Sequence, residues 1–284
     1  MSRVIFTNKE KVWFSKTKIT KGDILAYYKL VAPIMRPYLK DRPLVMQRYP
    51  DGIKGESFYQ KDIPDYFPDW IPRLKVKKEG GTVTHVLCNT SDTLLYIVNQ
   101  GCLTPHIWLS KKPNIRKPDR MIFDLDPSSR GFGPVVDAAH RLKVELEDRG
   151  LVPFVMTTGS RGVHVVVPLK PSVSFMQVKR FAKNVARTLC EKYPDEVTLE
   201  TRKAKRRARL YIDVMRNAYA QTGVCPYAVR ALPEAPVATP LLWKELTKRI
   251  SAHSYTIKSI KRRLKTKANP WRDFVRSARM LPRL

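Results

Sequence analysis

Arg120-Met121-Ile122-Phe123-Asp124-Leu125-Asp126-Pro127 closes an apolar run on two carboxylates set two residues apart, and a second run, Leu210-Tyr211-Ile212-Asp213, closes on a third. Side chains alternate along a strand, so Asp124 and Asp126 share a face. If the two runs are neighbouring strands, three carboxylates meet at one spot, and their repulsion is relieved by a strong positive charge such as one or two divalent ions. Taken alone, the pair also fits a strand followed by an Asp-Pro-Ser turn in which Asp126 caps, or a phosphatase with an aspartyl nucleophile. The phosphatase wants a Thr shortly after the pair, where Pro127-Ser128-Ser129 stands. Asp213 shifts the balance to two-metal nucleotidyl transfer, in which one ion activates an attacking hydroxyl and the other steadies the leaving pyrophosphate.

Thr158-Gly159-Ser160-Arg161-Gly162-Val163-His164 offers amides, a hydroxyl, a guanidinium and an imidazole in one short stretch. That is either an anion cradle or a Gly-containing hairpin turn. The basic run Lys203-Ala204-Lys205-Arg206-Arg207-Ala208-Arg209 leads into the Asp213 segment. It reads as a solvated face, as a nuclear-import signal, or as phosphate contacts beside the metals. Phe58 and Tyr59, next to Gln60 and Lys61, form an aromatic pair that could stack an unpaired base, or else one core and one surface residue.

These residues need elements to hold them. Thr20-Lys21-Gly22-Asp23 has the form of an N-cap with an acidic first turn, opening a helix whose Ile24, Tyr28, Val31 and Met35 share a face; Pro33 and Pro37 should kink or end it. A second helix is expected over 134–149, with Val135, Ala139, Leu142 and Leu146 on one stripe and Gly150 at its end. Val152–Thr157 and His164–Pro168 read as a hairpin, and a third helix is expected over 174–192. Strands interleaved with amphipathic helices make a mixed α+β fold, with no linker dividing residues 1–284 into separate domains.

Composition narrows the partners. Lys and Arg number 54 against 25 Asp and Glu, a formal charge of +29, which favours a polyanion and above all nucleic acid over an anionic membrane. An apolar content of 43% is enough for a real core. Cys88, Cys102, Cys190 and Cys225 are too scattered for a zinc site or a disulfide framework and read as reduced thiols. Neither a signal peptide nor a bilayer-spanning run stands out, so a cytosolic or nucleoid-attached protein is expected.

Together these segments resemble the polymerase domain of bacterial and archaeal ATP-dependent DNA ligase D, a branch of the archaeo-eukaryotic primase superfamily. The match is collinear. It begins at Asn8-Lys9-Glu10-Lys11-Val12 and Thr20-Lys21-Gly22-Asp23, and continues through Pro105-His106-Ile107-Trp108, Pro118-Asp119-Arg120, the Asp pair and Gly159–His164. It ends at Tyr211-Ile212-Asp213, Arg216-Asn217, Gln221-Thr222, Pro226-Tyr227-Ala228-Val229-Arg230 and Pro236–Leu241.

The resemblance implies a primase-polymerase core of central sheets flanked by helices, with two Mn²⁺ or Mg²⁺ ions on Asp124, Asp126 and Asp213. It implies that Ser160, His164 and Arg230 hold an incoming NTP or dNTP, with His106, Arg161, Arg206 and Gln221 also at the nucleotide site. Asn8, Lys11 and Lys21 would grip the 5′-phosphate across a DNA gap or break, and Phe58 and Tyr59 would abut the template. The implied activity is template-dependent gap filling and end extension in non-homologous end joining, with a ribonucleotide preference and with Ku and a separate DNA ligase as partners. A primase-polymerase for excision repair or priming is the near alternative, and an inactive nucleic-acid scaffold the distant one. Three departures stand out: Arg161 for a usual Lys, Ala220 for a common Gly, and Ala228 for a Ser. The chain leaves no room for a ligase or 3′-phosphoesterase module, so a stand-alone polymerase or one domain of a larger protein is expected.

Overall fold

A computed structural model describes residues 3–128 and 131–283, so Ser129 of the Pro127-Ser128-Ser129 stretch lies outside the described residues. The chain runs β1 (Val12–Phe14), β2 (Ile19–Thr20), α1 (Lys21–Leu39), β3 (Leu44–Arg48), β4 (Phe58–Gln60), β5 (Arg73–Lys78), β6 (Gly81–Val86), α2 (Ser91–Asn99) and β7 (Cys102–Trp108). It continues through β8 (Arg120–Asp126), α3 (Gly133–Glu147), β9 (Phe154–Thr157), β10 (Val163–Pro168), α4 (Phe175–Lys192), β11 (Val197–Thr198), β12 (Leu210–Asp213), β13 (Thr222–Val224), β14 (Thr239–Leu241) and α5 (Ile260–Thr266). The fold is mixed α/β, as expected. A six-stranded sheet has the order β11-β12-β8-β10-β9-β14, antiparallel except at β11–β12, and a four-stranded sheet has the order β13-β7-β3-β4.

Strand alternation splits the larger sheet into two working faces. Met121, Phe123 and Leu125 of β8, Val163, Val165 and Val167 of β10, and Leu210 and Ile212 of β12 join one core with Leu142 and Leu146 of α3 and Phe181 and Val185 of α4. The opposite face sends Ile122, Met156 and Val166 into a second core shared with α1, α2 and β7. At Gly223 of β13 the two sheets come close, since a Cβ there would lie 2.7 Å from Ile122 Cδ1. Asp124, Asp126, Tyr211 and Asp213 lie on that second face by parity, at the end where the sheets part.

The helices follow the expected caps. Thr20 caps α1 in a reciprocal capping box with Asp23, and Ser174 caps α4 in another with Gln177. Pro33 and Pro37, expected to kink or end α1, sit inside a helix that continues to Leu39. Both are exposed and four residues apart, so water can solvate the carbonyls they leave unbonded, while Ile24, Tyr28, Val31 and Met35 hold the opposite stripe in the core. Cys88, Cys102 and Cys225 are buried free thiols and Cys190 is half-buried. Among the described residues no helix is long and apolar enough to cross a membrane.

Candidate active site

Sheet register builds the site. In the β12–β8 pair Asp213 stands opposite Asp124, and in the β10–β8 pair His164 stands opposite Asp124. Three adjacent strands therefore carry Asp213, Asp124 and His164 abreast, and Asp126 lies two residues along the same face, opposite Tyr211. β12 pairs with β8 only through Asp126, Leu125 and Asp124, and beyond Asp213 a side chain takes over the ladder. Asn217 Nδ2 donates to Ile122 O at 2.7 Å while its Oδ1 accepts from Ile122 N at 2.8 Å. That clip fixes the turn that carries Arg216.

A cavity of about 280 Å³ opens over this row, lined by the three aspartates, Ser160, Arg161, His164 and Arg230 from one side and by Tyr59, His106, Thr222 and Val224 from the four-stranded sheet. Each carboxylate lies within reach of an arginine, and Asp124 also faces the His164 ring. His164 Nε2 is 3.5 Å and Arg216 Nη2 3.4 Å from Asp124 Oδ2, and Arg216 Nε is 3.9 Å from Asp213 Oδ2. Arg161 is 3.1 Å and Arg206 3.6 Å from Asp126. Burial alone would raise the Asp124 carboxyl, but His164 and Arg216 hold it below the usual carboxylate range. His106 is pushed down to about 3 by burial and then by the charges of Arg230, Arg216 and His164, so it is neutral near pH 7.

The 158–162 turn is shaped by its glycines. Thr158 N and Oγ1 both donate to Gly162 O at 3.0 Å, closing the turn. A Cβ on Gly162 would fall 1.8 Å from Leu125 O, so only glycine lets the turn lie against β8 beside the aspartates. Arg230 Nη1 donates to Thr158 O at 3.2 Å, which brings a cation from the β13–β14 connection to the turn. His253 contacts the Ser160 carbonyl from the segment before α5.

The sequence-predicted residues divide into two groups. Asp124, Asp126, Asp213, His106, Ser160, Arg161, His164, Arg230 and Tyr59 line one cavity. Arg206 stands behind it, buried, with its guanidinium 4.1 Å from the Tyr211 ring centroid. Gln221 is exposed and outside the lining, where its neighbour Thr222 takes part instead. Phe58 and Tyr59 alternate on β4 and face opposite ways, Tyr59 towards His106 at 5.6 Å and Phe58 towards Arg48 at 5.4 Å. Asn8, Lys11 and Lys21 gather elsewhere, where the chain before β1 is tied to the start of α1 by Lys21 N to Lys11 O and Gly22 N to Lys9 O, each 2.8 Å. Lys11 pairs with Asp51, and Lys21 Nζ donates to Thr7 O at 2.7 Å.

Comparison with known proteins decides the family. The sequence model described as "LigD, primase-polymerase domain" matches residues 20–271. This chain belongs to the LigD primase-polymerase family. Its fold is similar to that of the polymerase domain from Mycobacterium tuberculosis ligase D in complex with DNA, with a TM-score of 0.92, 28% identity, and coverage of 98% of this chain and 100% of that one. It is 32% identical over 274 residues to the bifunctional non-homologous end joining protein LigD of Bacillus subtilis, covering 96% of this chain and 44% of that protein. It is 30% identical over 247 residues to the multifunctional LigD of Mycolicibacterium smegmatis, covering 86% and 32%. The chain thus spans less than half the length of these LigD proteins.

Among the residues lining this LigD-type site, Arg216, Tyr211, Thr222 and Val224 were given no individual role by sequence reasoning. Parity along β12 points to Tyr211, two residues before Asp213 on the same face. Arg216 follows Asp213 by three residues in a short 3₁₀ turn, where nothing in spacing alone separates it from the surrounding basic residues.

Proposed function

We propose that the chain is one catalytic domain that acts as a template-dependent nucleotidyltransferase, extending a 3′-hydroxyl at short gaps and broken ends in non-homologous end joining with a preference for ribonucleotides. The observation that carries this is the row Asp213–Asp124–His164 on three adjacent strands, set in a cavity with four arginines on or beside it.

The donor set suits divalent ions. It is all carboxylate oxygen, the class preferred by Mg²⁺ and Mn²⁺, although among the described residues no three ligand side chains are drawn together as they stand. Arginine pairing explains this, because each carboxylate lies within ion-pair distance of an arginine. Two ions on Asp124, Asp126 and Asp213 would supply charge to the attacking hydroxyl and the leaving pyrophosphate. Ser160 and its turn amides, with Arg230 and Arg161, would bind the β- and γ-phosphates by charge-assisted hydrogen bonds. His164, 3.5 Å from Asp124, would fix that carboxylate and meet the triphosphate from the neighbouring strand. Neutral His106, under Tyr59, can offer one donor and one acceptor to the incoming nucleotide.

At the start of α1, Asn8, Lys11 and Lys21 would hold a downstream 5′-phosphate, supported by the helix N-terminus behind them. Ku and a separate ligase activity are the partners this role requires. The test is extension of a gapped duplex, with and without a downstream 5′-phosphate, with NTPs or dNTPs and with divalent ions present or chelated. Metal-dependent incorporation favouring NTPs and the phosphorylated gap is expected. Incorporation that survives chelation, or its absence on every primed substrate, overturns the reading.

A further inference from the structure

Two residues beyond His106 on β7, and therefore on the same sheet face, Trp108 leaves the active-site cavity and lines a second one of about 340 Å³. Its aromatic wall is a chain of edge contacts, His85 to Trp108 at 5.2 Å and Trp108 to Tyr219 at 5.3 Å. Lys61, Lys77 and Lys78 stand around it with Glu79 as the carboxylate among its lining residues. Tyr219 is 37% exposed, with Arg116 over its ring at 5.7 Å, so the part of its surface left open lies beside a further cation.

A concave aromatic wall with a cationic margin fits a flat ring attached to phosphate. Placement adds the rest, because two strand residues advance about 7 Å, so the second cavity begins roughly one extended nucleotide away from the first. We infer that it seats one unpaired base of the strand passing the active site, with the adjoining backbone phosphates on Lys61, Lys77 and Lys78. The inference rests on the polymerase reading, which puts nucleic acid in the neighbouring cavity. The strand's charge is met by Lys61 and by Lys77 and Lys78 of the β5–β6 hairpin, and the base replaces water against Tyr219, which Trp108 backs from within.

The test uses the whole chain and a primed duplex with a single-stranded template overhang carrying 2-aminopurine at successive positions. Stacking quenches this base, so one position should be quenched more than its neighbours. Tyr219→Ala should weaken overhang binding about tenfold and Tyr219→Phe should restore it. Lys77→Ala with Lys78→Ala should weaken it too and flatten its salt dependence. Incorporation by Tyr219→Ala at a one-nucleotide gap, where no further base is unpaired, should stay within about twofold of wild type. Uniform quenching, unchanged overhang affinity in Tyr219→Ala, or equal loss of incorporation with and without an overhang overturns the base seat. A wild type that incorporates nothing while keeping the position-specific quench overturns the polymerase reading and leaves the seat standing.

Discussion

Arg216 bridges two facing carboxylates, its Nη2 3.4 Å from Asp124 Oδ2 and its Nε 3.9 Å from Asp213 Oδ2. A guanidinium in that place competes with any divalent ion for the same oxygens. Arg216→Ala should lower the divalent concentration giving half-maximal incorporation by about threefold, the size expected of a half-exposed pair worth ~0.7 kcal/mol. A metal titration of wild type and variant measures this, and an unchanged or higher midpoint counts against the competition.

Asp124→Ala, Asp126→Ala and Asp213→Ala should each abolish nucleotide addition while DNA affinity at moderate salt survives, because Lys and Arg elsewhere would hold the phosphate backbone. His164→Ala and Arg230→Ala should lower turnover or raise KM for NTP with little change in binding to gapped DNA. Extension rates and gel-shift affinities measured together separate these outcomes. Incorporation retained in two of the aspartate variants removes the metal assignment.

Lys11 is tied to Asp51, whose side chain is 72% exposed. A 5′-phosphate would have to draw Lys11 away from that carboxylate. Asp51→Asn should therefore strengthen the preference for a phosphorylated gap, while Lys11→Ala with Lys21→Ala should erase a preference of about tenfold at low salt. Competition binding with 5′-phosphate and 5′-hydroxyl gaps reads both. Equal affinity of wild type for the two gaps eliminates the pocket.

His106, pushed down to about 3, gives stability a defined pH dependence. Below the ordinary imidazole value of about 6.5 the unfolded chain takes up a proton that the folded site refuses, so unfolding is favoured as pH falls from about 6.5 towards 3. Urea midpoints for wild type and His106→Gln should diverge in that window, wild type falling more steeply by up to about 1.4 kcal/mol per pH unit. Parallel curves would show that His106 titrates normally.

Gly162→Ala should cost more than 3 kcal/mol, roughly the upper range for a substitution that forces backbone apart, since its Cβ would lie 1.8 Å from Leu125 O. Thermal unfolding decides this, with an unshifted midpoint as the contrary result. Activity should fall further than stability, because the turn that moves carries Ser160 and Arg161.

Much of the site was legible because strand parity and apolar runs are local properties. Asp124 and Asp126 had to share a face, and Asp213 needed only one strand pairing to join them. Pairing order across the sheet is not local, so nothing in the sequence by itself put His164 beside Asp124 on the opposite flank from Asp213. Arg216 and Asn217 were missed for a related reason: their roles depend on where β12 stops pairing with β8. How far α1 runs past Pro33 was not legible either, because a helix tolerates proline where the freed carbonyls meet water, and sequence spacing does not report that. Phe58 and Tyr59, read either as a stacking pair or as two residues facing apart, diverge as strand neighbours must.

The alternation that aligns the three aspartates also makes the site a guard of its own folding. A one-residue slip of β12 against β8 would turn Tyr211 and Asp213 towards α3 and α4 and bring Leu210 and Ile212 into the polar cavity. A carboxylate driven into that apolar layer without a partner costs several kcal/mol, far beyond what a shifted ladder regains. Charges kept for chemistry thus also penalise the wrong register, so a chain that pairs these strands incorrectly is disfavoured before it can present a misaligned site to DNA.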